Sequence, residues 1–374
     1  MVQTRGAVIR KAPGELEVVD MELDDPRRDE VQVRLVASGL CHSDDHHVTG
    51  DLPVGTYPFA LGHEGAGIVE KVFDNDKGIR EGDHVVFSAI PSCGHCRFCS
   101  TGRQNLCDLA KGILAGPRWT DGSFRLHLAN DGTPVGQMCG ISTFCAHSTV
   151  SLSSVIKIDE DIPLDKACLI GCAVSTGWGS AVNSAEVVPG DVVIVMGAGG
   201  IGASAIQGAA HAGAATIIAA DPVALKREKA LEFGATDTAS SIEEAAELAR
   251  ERTNGQGADA TIVTVGVLRP EHVTQALASV RRAGTVVATA VGVHEVIDTP
   301  LALFDLTLSQ KRLQGSLFGS TNGGWDAHRL LGLYRAGTLK LDEMVTTTYA
   351  LDDIAQGYRD LHAGRNVRGV VLYD

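Results

Sequence analysis

Four cysteines, Cys93, Cys96, Cys99 and Cys107, are spaced C-x-x-C-x-x-C with seven residues before the fourth. Thiolates at this spacing can close around one tetrahedral zinc ion, which takes four sulfur ligands at ~2.3 Å and keeps no position open. Such a centre holds a lobe together and does no chemistry itself. A disulfide cluster is the competing reading, but the nine cysteines are an odd number and nothing else in the chain suggests secretion.

Three further residues could ligate a second metal: Cys41 in Gly39-Leu40-Cys41-His42-Ser43-Asp44, His63 in Gly62-His63-Glu64, and Cys172 after Gly171. Two thiolates, one imidazole and an open position would make a catalytic zinc site. Spacing alone does not assemble them. Each reads equally as a core cysteine or a hydrogen-bonded histidine, and Cys168 competes with Cys172.

The stretch Gly197-Ala198-Gly199-Gly200-Ile201-Gly202 satisfies G-x-G-x-x-G. Glycine-rich turns are common, so context decides. Here an apolar run precedes it, a helical stretch follows, and Asp221 stands nineteen residues past Gly202. Gly197 suits the tight turn, Gly199 admits a pyrophosphate close to the backbone, and Gly202 lets helix and strand pack. The helix N-terminus offers its free N–H groups to the anion. Asp221 would accept from both ribose hydroxyls and repel a 2′-phosphate, which favours NAD over NADP. Its alternative role is a helix cap.

The elements that must position these groups fall into two textures. Up to about residue 173 the chain carries short β-like runs broken by Gly, Pro and Asp, such as Glu30–Ala37, Ala66–Val72 and His84–Phe87. An irregular segment, Lys111–Arg125, interrupts them, and a loop of that length is expected to be functional or at an interface. From Asp191 the texture becomes strand–helix alternation: Val192–Met196, Ile201–Ala212, Thr216–Ala220, Leu225–Phe233, Ile242–Arg252, Ala260–Val265 and Thr285–Ala290. That order predicts a doubly wound parallel sheet. The tail returns to the first texture, with a helix around Tyr334 and a last strand at Gly369–Leu372. We therefore expect an α/β protein in which residues 174–317 form one domain inserted into another made of 1–173 and 318–374.

The net charge is −14, from 32 Lys and Arg against 46 Asp and Glu, with no basic run. This argues against nucleic-acid or anionic-membrane partners. No apolar stretch is long enough to span a bilayer. Thiol-rich composition without a targeting segment points to a reducing cytoplasm.

Together, Gly39–His46 (GLCHSDDH), Gly62–Gly67 (GHEGAG), the four-cysteine lobe, Gly171–Gly177 (GCAVSTG) and the Gly197–Gly202 fingerprint resemble the zinc-containing medium-chain alcohol dehydrogenases, in family order over essentially the whole chain. The resemblance implies a GroES-like β-rich catalytic domain with a Rossmann domain, two zinc ions per chain and NAD. It selects Cys41, His63 and Cys172 as catalytic ligands and the lobe cysteines as the structural set. Glu64 stands beside the ligand histidine, and Asp44 would orient the His63 ring. Ser43 matches the hydroxyl that meets the substrate oxygen, and His46 the surface histidine ending a proton relay, a role suited to an imidazole. His47 reads as an ordinary solvated loop residue. Retention of every ligand, Ser43 and His46 argues against the alternative of a non-catalytic NAD-binding scaffold.

By the same resemblance His42 and Arg368 would contact the pyrophosphate, Lys226 the ribose, and Thr176, Gly200, Ile201, Val291 and Val293 the rest of the cofactor. Leu52, Ala89, Val293 and Leu317 would line the substrate pocket. Ala89 stands where relatives often carry an aromatic, which implies room for bulky or aromatic primary alcohols. The long segment between Cys107 and Leu128 favours a homodimer, a tetramer being the alternative. Gly112–Arg118 (GILAGPR), Gly140–Phe144 (GISTF) and Gly177-Trp178-Gly179 look most like the actinobacterial nitrosoaniline-dependent branch, which retains its NAD. A thiol-dependent formaldehyde dehydrogenase, using glutathione or mycothiol adducts, is the rival; Lys111 or Arg118 would supply its anion pocket.

Overall fold

The computed structural model describes all residues, 1–374, and divides into two compact units: Met1–Cys172 with Asn322–Asp374, and Ala173–Thr321. In the first unit, strands Val2–Ile9, Glu17–Leu23, Leu126–Leu128, Pro134–Gln137 and Phe59–Ala60 close into a small barrel. Beside it lies a seven-stranded sheet whose central strand is Glu30–Gly39. This strand pairs antiparallel with Gly65–Val72, His147–Ser151 and Arg368–Leu372. Its inward residues Val31, Val33 and Leu35 are fully buried, and Phe87, Phe144 and Val371 join them in one core.

That pairing brings distant ligands together. Ser38 lies opposite Gly65, so the chain leaving the first strand toward Cys41 and the chain entering the second from His63 share one end of the sheet. The third ligand arrives by close approach. Gly171 accepts from the Ala89 N–H at 3.1 Å, and a Cβ there would meet the Phe87 carbonyl at 2.5 Å. Only glycine lets Cys172 sit so near that strand end.

The second unit is a six-stranded parallel sheet. Its order is Asp237–Ala239, Thr216–Ala220, Val192–Met196, Ala258–Val263, Val280–Ala288, Arg312–Gly315. In sequence order this is 3-2-1-4-5-6, the arrangement of dinucleotide-binding sheets. Val192–Met196 is buried along its whole length, as a strand covered on both faces must be. The helix Gly200–Ala212 follows directly on the glycine-rich turn. A Cβ on Gly202 would lie 1.9 Å from the Gly197 carbonyl oxygen, so this helix packs at backbone distance. No helix is long and apolar enough to cross a membrane.

Candidate metal centre and cofactor turn

The four lobe sulfurs lie within 4.8 Å of one another, and none of the nine cysteines forms a disulfide. Local backbone turns build this set. The Cys93 N–H donates to Cys107 Sγ at 3.3 Å, Cys96 N–H to Cys93 Sγ at 3.3 Å, and Cys99 N–H to Cys96 Sγ at 3.5 Å. Each such donor makes a buried thiolate less costly. The amides of Cys99 and Asp108 draw the Cys96 thiol down to about 6, whereas burial pushes Cys107 up to about 12.

In the second set, donor atoms of Cys41, His63, Glu64 and Cys172 also lie within 4.8 Å of one another. Cys41 shares a proton with Cys172, and together with the His63 imidazole this holds its thiol well below the ordinary range, against the cost of burial. Cys172 is pushed up correspondingly, by that sharing and by burial. Burial opposes charge on His63, but Asp44 and the two sulfurs outweigh it and raise its basicity. Asp44, fully buried, accepts the Gly62 N–H at 2.8 Å and lies 3.2 Å from His63 Nδ1. His63 Nε2 is buried and has no hydrogen-bond partner. A buried nitrogen left bare beside two sulfurs, with its other nitrogen fixed by a carboxylate, fits a Cys₂His zinc site.

Glu64 takes the guanidinium of Arg368, and burial followed by the Cys41 charge still pushes its carboxyl up to about 7. Arg368, expected at the pyrophosphate, is buried with its guanidinium on Glu64; its strand pairs with Glu30–Gly39, which stops two residues short of Cys41. Ser43 Oγ lies 3.6 Å from Cys41 Sγ. Cys168 stays outside the ligand set, with Sγ 3.5 Å from the Asp165 carbonyl and burial raising its thiol. His42 is half-buried, and desolvation lowers its basicity.

Two expectations about the helix His42–Thr49 are corrected. His46, expected at the surface, is 2% exposed and bonded through Nδ1 to Asp51. His47, expected to be solvated, is 1% exposed. Its Nδ1 donates to the Leu52 carbonyl at 3.0 Å, and its ring meets Phe59 edge-on. The turn after Thr49 folds back over both rings.

The segment 108–125 carries a short 3-10 helix, Asp108–Gly112, and no strand. Arg118 is 2% exposed and donates to Glu30 Oε1 at 2.8 Å and to Ser123 at 3.1 Å; Arg125 reaches the same Glu30 oxygen at 2.7 Å. Arg118 therefore cannot offer an anion pocket, a correction of that expectation. Lys111 is exposed and paired with Asp108. Sequence reasoning missed this network, and also the Asp45–His362 pair at 2.7 Å.

In the second unit the Asp221 carboxylate accepts from the Ala198 N–H at 2.8 Å and the Val223 N–H at 2.9 Å, which fixes it at the glycine-rich turn. Lys226 lies half-buried in the first turn of the helix Ala224–Glu232. Arg227, not singled out from the sequence, donates to the Asp221 carbonyl at 2.7 Å. Thr176 is buried; Ile201 and Val293 are half-buried; Val291 and Leu317 are exposed. Of the pocket positions in the first unit, Ala89 is buried and Leu52 half-buried.

A zinc-holding β unit joined to a nucleotide-type sheet defines a class, the zinc-dependent dehydrogenases. Residues 27–158 match the alcohol dehydrogenase GroES-like domain, and residues 200–331 match the zinc-binding dehydrogenase domain. The chain belongs to the zinc-containing medium-chain alcohol dehydrogenase family. It is 48% identical over 372 residues to the NDMA-dependent alcohol dehydrogenase of Amycolatopsis methanolica, covering 100% of this chain and 99% of that one. It is 46% identical to alcohol dehydrogenase B of Mycobacterium tuberculosis H37Rv, covering 100% and 99%. The crystal structure of benzyl alcohol dehydrogenase from Acinetobacter calcoaceticus superposes with a TM-score of 0.91 at 28% identity, covering all of both chains. This protein is a zinc-dependent alcohol dehydrogenase of an NAD(P)-binding family, and the family implies small-molecule alcohol substrates.

Proposed function

We propose that this enzyme interconverts primary alcohols and aldehydes, bulky and aromatic ones included, with NAD as hydride acceptor. The observation that carries the reading is that one chain holds both a largely buried Cys₂His donor set and a carboxylate, Asp221, fixed at a glycine-rich turn. Cys41, His63 and Cys172 would hold the catalytic zinc, and Cys93, Cys96, Cys99 and Cys107 the structural one. Bound there, zinc supplies the Lewis acidity that lets an alcohol ionise near neutral pH, and the nicotinamide accepts the hydride.

The chain's own residues do the rest. Asp44 holds His63 with Nε2 toward the sulfurs. Glu64, paired with Arg368, keeps a carboxyl beside the ligands that can change charge near neutrality. Ser43 would bond the substrate oxygen and His46 would carry its proton outward. His42 would meet the pyrophosphate weakly, since a neutral ring grips less than an arginine. Asp221 would take the ribose with Lys226, and its charge would disfavour a 2′-phosphate. Thr176, Gly197, Gly199, Gly200, Ile201, Gly202, Val291 and Val293 would contact the remaining cofactor, with Arg368 the further pyrophosphate contact.

Similarity to an NDMA-dependent enzyme and to a benzyl alcohol dehydrogenase supports retained NAD and aromatic substrates. The small, buried side chain of Ala89 supports room for such substrates. Exposed Ile297, Phe304, Leu308 and Leu313, near or on the edge strand Arg312–Gly315, support a homodimer. Nine cysteines without a disulfide fit a cytoplasmic protein.

Steady-state kinetics with ethanol, octanol and benzyl alcohol, each with NAD and NADP and with an artificial acceptor that reoxidises bound cofactor, test the reading. Preference for benzyl alcohol with NAD is expected; preference for ethanol or for NADP would overturn it. The ultraviolet spectrum of dialysed protein tests cofactor retention, and light scattering tests the dimer.

A further inference from the structure

The helix His42–Thr49 ends at Gly50, whose left-handed backbone returns its N–H to the His46 carbonyl at 3.1 Å. The Leu52 N–H reaches the same oxygen at 3.1 Å, so the chain doubles back over the ring it has just left. Asp51, carried by that turn, sets Oδ2 at 3.1 Å from His46 Nδ1. Thr49 Oγ1 donates to the same carboxylate oxygen at 2.9 Å. The His46 side chain is 3% exposed, whereas the Asp51 side chain is 25% exposed. One end of this pair is enclosed and the other touches water.

We infer that Asp51 is a positioning residue of the proton exit, holding His46 in the tautomer that receives the alcohol proton and linking that ring to solvent. The inference rests on the relay role proposed for His46. A carboxylate offers only acceptors, so the nitrogen facing Asp51 must be the one that carries hydrogen. In the neutral ring this leaves Nε2 as a lone pair, able to take a proton. When it does, an N–H bond forms and the donor's O–H bond breaks, and the imidazolium lies against the Asp51 carboxylate. Release of a proton to bulk water restores the neutral ring, so the step needs no other reactant.

The neighbouring charges do not supply this function. Asp44 is committed to Gly62 and His63, and Asp45 to His362 of the helix Ile354–His362. His42 and His47 lie on the same helix as His46, and His47 Nδ1 donates to the Leu52 carbonyl. Asp51 therefore stands to His46 as Asp44 stands to His63. Each of these two imidazoles has one carboxylate behind it, and for His46 the arrangement is local, made by the helix stop at Gly50.

The test uses the full-length zinc-loaded enzyme and the variants Asp51→Ala, Asp51→Asn and His46→Ala, each verified to keep two zinc ions. Nitrogen-15 NMR of histidine-labelled protein reads the tautomer directly. The wild type is expected to carry hydrogen on Nδ1 of His46, Asp51→Asn to keep it through the amide oxygen, and Asp51→Ala to shift toward Nε2–H. Single-turnover alcohol oxidation in Asp51→Ala is expected to slow by about tenfold, the low end for losing an orienting carboxylate. KM should stay within about twofold, with Asp51→Asn in between and added imidazole buffer restoring the rate. An unchanged tautomer, an unchanged rate in Asp51→Ala, or a loss that imidazole does not restore would overturn the inference. If His46→Ala itself runs at the wild-type rate, the relay role falls and the inference falls with it. If His46→Ala is slow while Asp51→Ala is not, only the role of Asp51 is lost.

Discussion

Replacing Asp44 with Asn tests the catalytic metal site through an atom that never touches the metal. Asp44 Oδ1 accepts the Gly62 N–H at 2.8 Å and lies 3.2 Å from His63 Nδ1, and Oδ2 lies 3.1 Å from the same nitrogen. Asparagine has the same shape but one acceptor and one donor. With its oxygen at the Oδ1 position, its NH₂ confronts the protonated Nδ1. Reversed, the NH₂ confronts the Gly62 N–H. Either way a donor faces a donor, and the charge-assisted hydrogen bonding of the buried carboxylate, worth about 1.5–3 kcal/mol, is weakened or lost. Relief by tautomer exchange would put hydrogen on Nε2, the nitrogen that must bind zinc. Loss of an orienting partner typically weakens a metal site by about 10–100-fold, or about 1.4–2.7 kcal/mol, so the two estimates agree. The assay is zinc counted per chain by mass spectrometry during titration with a competing chelator, with the four-cysteine zinc as internal standard. One zinc should leave the Asp44→Asn protein at about 10–100-fold lower chelator than in the wild type, while the other is unaffected. A folded variant that keeps both ions within about twofold of wild type would refute the reasoning.

Cys172→Ala should lose one zinc and all hydride transfer while the lobe ion stays. Cys99→Ala should lose the lobe ion and lower the thermal midpoint; metal analysis with calorimetry separates the two. Gly202→Ala places a methyl against the Gly197 carbonyl and should cost about 1–3 kcal/mol in denaturant unfolding, with weaker cofactor binding by fluorescence titration. Arg118→Met leaves Glu30 with Arg125 alone and should cost about 3 kcal/mol by urea denaturation. Burial opposes charge on Glu30, but Arg118 and Arg125 outweigh it and hold its carboxyl below the ordinary range. Its contribution is therefore complete above the unfolded value, about 4.3, and is lost as pH falls through the folded one. Glu30→Gln should flatten the acid side of the urea-midpoint profile.

The parallel sheet was legible because its central strands are continuous apolar runs, unlike the edge strands Asp237–Ala239 and Arg312–Gly315. His84–Phe87, Val192–Met196, Thr216–Ala220 and the helix Ile242–Arg252 lie where the pattern placed them. Ends were less sharp: the strand expected at Thr285–Ala290 runs from Val280 to Ala288. The lobe cysteines were legible because their spacing is local. Cys41, His63 and Cys172 were legible only through resemblance, since the pairing of Ser38 with Gly65 is set by the register of two strands and not by local sequence. The burial of His46 and His47 left no signal, because polar residues in a run such as HSDDHH look solvated until a turn covers them. Arg118 and Glu30 were hidden likewise: two charges 88 residues apart look like surface groups, and only the fold makes them partners.

The strand Arg368–Leu372 pairs with Glu30–Gly39 and sends Arg368 to Glu64, so a late strand finishes the surroundings of the first ligands. During synthesis, Cys41 and His63 leave the ribosome more than 300 residues before Arg368 and Cys172 about 200 before it, and the entire parallel sheet emerges in between. The inserted unit can therefore fold as soon as it appears, whereas the β unit waits for its closing strand. Until then Glu64 lacks its cation, and the nascent metal site differs in charge from the finished one. Zinc capture before and after the strand Arg368–Leu372 is in place should thus differ in affinity, which makes that strand a checkpoint for metal loading.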